Sequence, residues 1–147
     1  MYAQLNTKTV FSFMDATVKL TDYITAAKTL GYQTLGISDV DNLHAAHQFI
    51  TQAKAAGIQP VIGYETTLLL DGLAINFTFI AKTNAGLQNL YSISSKKNFG
   101  YNNFSDIHSH LCDVALILPA DSAVDSILTH LPQNDVFVGL AQPMAQG

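Results

Sequence analysis

Arginine and tryptophan are absent from this 147-residue sequence, and cysteine and glutamate occur once each. No apolar run approaches the ~20 residues that a membrane-spanning helix needs. Each absence excludes something. Without arginine there is no guanidinium fork for phosphate, and seven lysines face eleven acids for a net charge of -4. A chain so charged is expected to bind nucleic acid weakly or not at all. Lys96 and Lys97, beside Tyr101 in a polar stretch read as a loop from Lys96 to Asn103, are the basic pair best placed to touch a phosphate backbone. Two lysines in a loop are more simply a solvated surface. The single Cys112 cannot close an internal disulfide, and no basic segment leads into an apolar run at the N-terminus, so the expected compartment is the cytoplasm.

What is present is apolar: 48% of the residues are hydrophobic and 12% charged, enough for one sizeable core and far from the signature of disorder. The chain is expected to be one globular domain or part of one.

Two segments carry most of the pattern. Ala27-Lys28, Gly31 and Gln33 are echoed 26 residues later by Ala53-Lys54, Gly57 and Gln59. Each copy reads as a helix, a glycine stop, a short buried strand and then a carboxylate, Asp39 in the first and Glu65 in the second. Helix Thr21 to Leu30 has Ile24, Ala27 and Leu30 at helical spacing, with Thr21 as a cap and Gly31 as a left-handed stop. Strand Thr34 to Ile37 follows. Asp41 or Asn42 is expected to cap a second helix with buried stripe Leu43, Ala46, Ile50 and Ala53, ending at Gly57, before strand Pro60 to Tyr64. In a β/α repeat the C-terminal ends of parallel strands form the active face, so Asp39 and Glu65 are expected to share a site.

Thr66 to Leu70 and Leu73 to Ile80 read as strands joined by a type I′ turn at Asp71-Gly72. A third helix spans Asn84 to Ser95 with Leu87, Leu90 and Tyr91 inward. Ser105 to Leu111 reads as helix, Val114 to Leu118 as strand, Asp121 to Leu131 as helix and Asp135 to Leu140 as strand; a short strand is placed near Tyr2 to Leu5. The fold class is therefore α/β, a mostly parallel sheet with one antiparallel hairpin. Gln142 to Gly147 supplies no closing helix, so residues 1–147 are expected to be the first part of a larger domain.

The carboxylates that strand ends could gather around a metal are Asp15, Asp39, Asp41 and Glu65, and no histidine falls among them. His44 and His47, three apart on the second helix, could pair on a metal but read more simply as surface residues. His108 and His110 would point one way on a strand and diverge on the helix expected there. Cys112 has no second thiol and reads as a half-buried side chain. Phosphate-cradling loops, nucleophile elbows and kinase motifs are missing.

The sequence resembles the opening of the PHP (polymerase and histidinol phosphatase) domain found in the alpha subunits of bacterial DNA polymerase III. The resemblance is carried by Gln4, Ser12-Phe13-Met14-Asp15-Ala16, Ala26-Ala27-Lys28-Thr29-Leu30-Gly31, Ile37-Ser38-Asp39-Val40-Asp41-Asn42-Leu43 and the run from Ala56 to Glu65. Phe79 to Leu90 adds the segment most typical of the polymerase branch.

The resemblance implies a distorted seven-stranded β/α barrel with about three metals at its strand ends. It also implies that four ligand positions here have lost their ligands: the opening His-x-His falls on Asn6 and Lys8, the histidine after Asp39 is Val40, and the one opening a later strand is Asn76. Asp15 and Glu65 keep residues able to coordinate, with Asp39 beside them. Valine cannot bind a metal, an amide binds weakly and lysine must first lose a proton, so no metal or other cofactor is expected in this segment. Lys8 is expected to neutralise Glu65 or Asp15 in the metals' stead.

The implied role is architectural. Such a domain packs on the polymerase core of its own chain and can help hold a proofreading exonuclease or other replisome subunits, while nucleotide transfer with Mg2+ belongs to a palm domain elsewhere. The alternatives are a metal-dependent phosphoesterase or 3′–5′ exonuclease built on Asp15, Asp39 and Glu65, and a free-standing interaction module.

Overall fold

The computed structural model describes residues 4–7, 20–119 and 136–139. Its order is β1 (Gln4–Thr7), α1 (Leu20–Thr29), β2 (Thr34–Val40), α2 (Ala46–Ala55), β3 (Gln59–Leu70), β4 (Leu73–Ala81), α3 (Asn84–Asn98), α4 (Phe104–Ile107), a 3-10 turn (His108–His110), β5 (Val114–Pro119) and β6 (Val136–Gly139). The six strands form one sheet in sequence order. β1, β2 and β3 run parallel, β4 is antiparallel to both β3 and β5, and β5 and β6 are again parallel. This is the expected α/β class, with one antiparallel strand let into a parallel sheet.

The 26-residue echo is a structural repeat. Helices α1 and α2 end alike, Gly31 at φ 83° and Gly57 at φ 78°, conformations that cost an L side chain energy. The amide after each glycine returns to the same helical position, Tyr32 N–H to the Ala27 carbonyl at 3.0 Å and Ile58 N–H to that of Ala53 at 2.9 Å. The two copies then pair, Gln59 N–H donating to the Gln33 carbonyl at 2.9 Å.

Several boundaries differ from expectation. Strand β2 runs on to Val40, so Asp39 lies within it, and the two strands read around Glu65 are one continuous β3. The residues flanking Glu65 keep their β4 partners without interruption, Tyr64 with Phe79 and Thr66 with Phe77, which removes any reason to break. The turn itself holds: Leu70 faces Leu73, with Asp71 at φ 51° and Gly72 at φ 80°, both positive as a type I′ turn requires. Neither Asp41 nor Asn42 caps α2, whose N-cap is Ala45. Asn42 instead folds on itself, its side-chain oxygen accepting from His44 N–H at 3.1 Å and its amide donating to the Val40 carbonyl at 2.9 Å. Thr21 sits inside the first turn of α1 rather than before it.

Helix α3 continues to Asn98 and takes in Lys96 and Lys97, whose charges suit the negative end of the helix. The expected helix Asp121 to Leu131 and the tail Gln142 to Gly147 lie outside the described residues.

One face of the sheet packs on the helices. Ile62, Tyr64, Leu68, Ile75, Phe77 and Phe79 are buried there with Phe49 of α2, Leu90 and Ile93 of α3 and Phe104 of α4. Phe77 stacks between Phe79 and Phe104, centroids 5.7 and 5.1 Å away. The α2 stripe is Ala46, Phe49 and Ala53, with Leu43 and Ile50 at its margin; Ile93 is buried in α3, while Tyr91 is 40% exposed. The part of β3 beyond Glu65 has no β2 partner, since β2 ends first. The loop after α3 lies there: Leu69 N–H donates to the Asn102 carbonyl at 2.7 Å, and Lys97 Nζ donates to the Thr67 carbonyl at 2.6 Å.

Candidate functional site

The register decides which side chains share the strand ends. Asp39 is beside Tyr64 and Val40 beside Glu65, while Glu65 faces Thr78 and Thr67 faces Asn76 across the hairpin. Neighbours in register project from the same face and successive residues from opposite faces. Val40, Glu65, Thr67, Asn76 and Thr78 therefore share one face, and Asp39 lies on the other with Tyr64 and Thr66. The glycine at 63 confirms the first grouping: a Cβ there would come within 2.2 Å of Ser38 Oγ, its register partner.

The expectation that Asp39 and Glu65 meet at one site is thus overturned. Asp39 is buried on the helix-packed face. Glu65 is half-buried on the opposite face, where Ser38 and Thr78 are buried, Val40 is partly exposed and Asn76 and Thr67 are exposed. Asn6 lies in β1, and Lys8 and Asp15 are outside the described residues.

Few metal ligands stand on this face among the described side chains. Glu65 is the one carboxylate that β2, β3 and β4 place on it, and valine offers no lone pair. Among the described residues no group of three or more His, Cys, Asp or Glu side chains comes together. His44 precedes α2 and His47 begins it, both exposed, so they do not form a pair on one helix. His108 and His110 belong to a 3-10 turn, where His108 meets the edge of Phe104 at 5.9 Å. Cys112 is exposed rather than half-buried.

The lysine pair is structural. Lys96 Nζ donates to the Asp106 carbonyl at 2.8 Å and lies 5.9 Å from the Tyr101 ring centroid; Lys97 Nζ also donates to Asn102 Oδ1 at 2.9 Å. Both amines hold the chain that follows α3.

On the helix-packed side, a polar group of which sequence reasoning had singled out Asp41 alone surrounds the start of the β2–α2 loop. Asp41 turns there at φ 57°, its N–H donating to the Glu65 carbonyl at 2.8 Å. Thr66 Oγ1 donates to Asp41 Oδ1 at 2.5 Å. Beneath them Tyr64 is fully buried, and its hydroxyl finds no hydrogen-bond partner among the described residues. Burial raises its ionisation above the usual 10.0; the neighbouring Ser94 hydroxyl opposes the shift, the Asp41 charge adds to it and the Thr66 hydroxyl opposes it. Signal for this group was present only in pieces, an Asp, a Thr and a Ser far apart in sequence.

The raised Tyr64 value has a sign that can be tested. Below about pH 10 the phenol is neutral in both folded and unfolded chains and contributes no slope. Above it the unfolded tyrosine ionises first, so stability falls until the folded value is reached. The difference between parent and Tyr64→Phe in urea midpoints is therefore expected to shift in favour of the variant from pH 9 to 11. At neutral pH the variant should unfold no earlier than the parent, because a buried oxygen without a partner destabilises by about 1–3 kcal/mol.

The family model "PHP domain" matches residues 4–138. The DNA polymerase III subunit alpha of Streptococcus pyogenes serotype M3 is 37% identical over 142 residues, which is 97% of this chain and 13% of that protein, in its N-terminal region. That of Staphylococcus epidermidis is 40% identical over 96 residues, 65% of this chain and 9% of the relative. The chain thus spans a small part of the curated relatives it matches.

Two solved structures share the fold. A protein of Bifidobacterium adolescentis assigned as a metal-dependent phosphoesterase aligns with TM-score 0.51 and 18% identity, covering 64% of this chain and 32% of that one. An amidohydrolase of Chromobacterium violaceum, with bound sulfate and no metal, aligns with TM-score 0.59 and 12% identity over 94% of this chain and 75% of that one. Since the family match runs from the first residue of β1 into β6, the strand order, the antiparallel β4 and the strand-end face described above are those of a chain that belongs to the PHP domain family.

Proposed function

We propose that this chain is the PHP segment of a replicative DNA polymerase III alpha subunit, in which it serves architecture and performs no metal-dependent hydrolysis. The relatives at 37–40% identity support the polymerase assignment. The observation that carries the loss of chemistry is the Glu65 face, where that carboxylate stands among Val40, Thr67, Asn76 and Thr78. One carboxylate cannot hold a cluster of cations against their mutual repulsion.

In this reading nucleotide transfer and its Mg2+ belong to the polymerase core of the same protein, against which the segment packs. A proofreading exonuclease or another replisome subunit is a further partner, direct contact with DNA is weak, and the compartment is the cytoplasm. No helix among the described residues is long and apolar enough to cross a membrane.

The test is elemental analysis of the chain purified without chelator, repeated after incubation with excess zinc and manganese, alongside hydrolysis of bis(4-nitrophenyl) phosphate. Metal well below one equivalent and no hydrolysis above buffer are expected. Tightly held metal that disappears in Glu65→Ala, accompanied by phosphodiester cleavage, would replace this reading with that of a metal-dependent phosphoesterase.

A further inference from the structure

At the end of the sheet where β3 begins, away from Glu65, a groove of about 220 Å³ opens between α2 and the start of α3. Pro60 and Ile62 of β3 form its floor, Ile50 and Lys54 of α2 one wall, and Lys82 and Leu87 belong to the other. The chain order explains why two amines meet there. Helix α2 ends where β3 starts, and β4, antiparallel to β3, returns to the same end before α3 begins. Lys54 in the last turn of α2 and Lys82 just before the α3 cap therefore reach one rim from opposite sides. Ile50 is one turn back from Lys54, and Leu87 one turn on from the Thr83 cap, so the apolar pair lies inward of the amines.

The groove is unevenly finished. Ile50, Pro60 and Leu87 are left half-buried around the buried Ile62. No acid lines it, although acids outnumber lysines eleven to seven in the chain; Asp113, which accepts from Thr83 Oγ1 at 3.0 Å, stays outside the lining. The positive charge is that of side chains, since the α3 terminus already has its Gly86 N–H capped by Thr83. An apolar side chain entering between Ile50 and Leu87 would cover what the fold leaves half open, and carboxylates beside it would meet Lys54 and Lys82. A nucleic acid suits the groove less. Its lining has no aromatic ring on which a base could stack, and the chain has no arginine and a net charge of -4.

We propose that this groove docks a peptide segment of a partner protein, one with an aliphatic anchor flanked by aspartate or glutamate. The test is selection of short linear peptides displayed on phage against the full 147-residue chain, run in parallel against Lys54→Glu/Lys82→Glu. Both lysines are exposed, so the double variant should keep the parent's urea midpoint; if it does not fold, Lys54→Gln and Lys82→Gln singly carry the same comparison. Peptides enriched on the parent alone should place an aliphatic residue next to an acid. A synthetic peptide of that consensus should shift the amides of residues 50–62 and 81–87, bind the double variant at least about tenfold more weakly, and lose affinity in about 1 M salt, where charges are screened within about 3 Å. Absence of enrichment, enriched peptides without acids, shifts elsewhere in the chain, or equal binding to parent and variant would each overturn the proposal. Shifts at these residues with a thymidine oligonucleotide and none with the peptide would overturn it in favour of nucleic acid.

Discussion

Phe77→Ala should lower unfolding free energy by about 3–5 kcal/mol, the range for deleting a fully buried aromatic ring. Phe77 has no exposed surface and stacks on both Phe79 of its own strand and Phe104 of α4. Removing it leaves a void between strand and helix that neither rigid ring can fill. Small domains have about 5–15 kcal/mol in total, so the variant should lose a large share of its stability and show an early urea midpoint with little change in slope. Phe77→Leu, which keeps most of the volume, should recover the larger part of the loss. A midpoint for Phe77→Ala within error of the parent would mean that the β4 to α4 packing contributes little to the fold.

The second large effect is expected at Gly86, and there the sign decides. By helix propensity alone, alanine in α3 should stabilise by up to about 1 kcal/mol. A Cβ at this position, however, would stand 2.1 Å from the Asp113 carbonyl oxygen and 3.0 Å from its carbon. The Asp113 backbone is poorly able to withdraw. Lys82 N–H donates to that same oxygen at 2.9 Å, Asn89 Nδ2 to the Cys112 carbonyl at 2.7 Å, and Thr83 Oγ1 to Asp113 Oδ2 at 3.0 Å. Thr83 also caps α3 by accepting from Gly86 N–H at 3.1 Å. Gly86→Ala should therefore destabilise by about 1–3 kcal/mol or more, the usual penalty for overpacking a fixed site. Ala85→Gly, on the exposed side of the same turn, serves as the control for propensity without the clash. A Gly86→Ala chain that melts later than the parent would show that the turn before β5 yields easily.

Much of the fold was legible because its punctuation is chemical. Gly31 and Gly57 end helices, Asp71-Gly72 makes a hairpin, and these marks can be read without knowing what packs on what. The strand-end site was harder for a reason of parity. Asp39 and Glu65 occupy equivalent places in a repeat of 26 residues, yet the ladder pairs Thr34 with Gln59, an offset of 25. Side chains alternate with period two, so this single residue sends the two acids to opposite faces. No sequence pattern within either strand reports that offset; it is set by how the helices seat the strands. In α2, Ala46 and Ala53 are buried as read, but Phe49 rather than Ile50 is turned fully inward, its ring stacking on Tyr23 at 6.2 Å.

The loop that follows α3 has an effect that reaches past the single molecule. Where β3 outruns β2, its outward carbonyls and amides would be a bare template on which the strand of another chain could add, the first step toward ordered aggregates. Asn102 and Lys97 occupy that template with their own bonds to Leu69 and Thr67. A lysine amine is an effective stopper, since a second strand would have to displace a charge as well as a hydrogen bond. Lys97, one of a pair read from the sequence as a solvated surface, thus acts as a guard on solubility for the long hairpin arm.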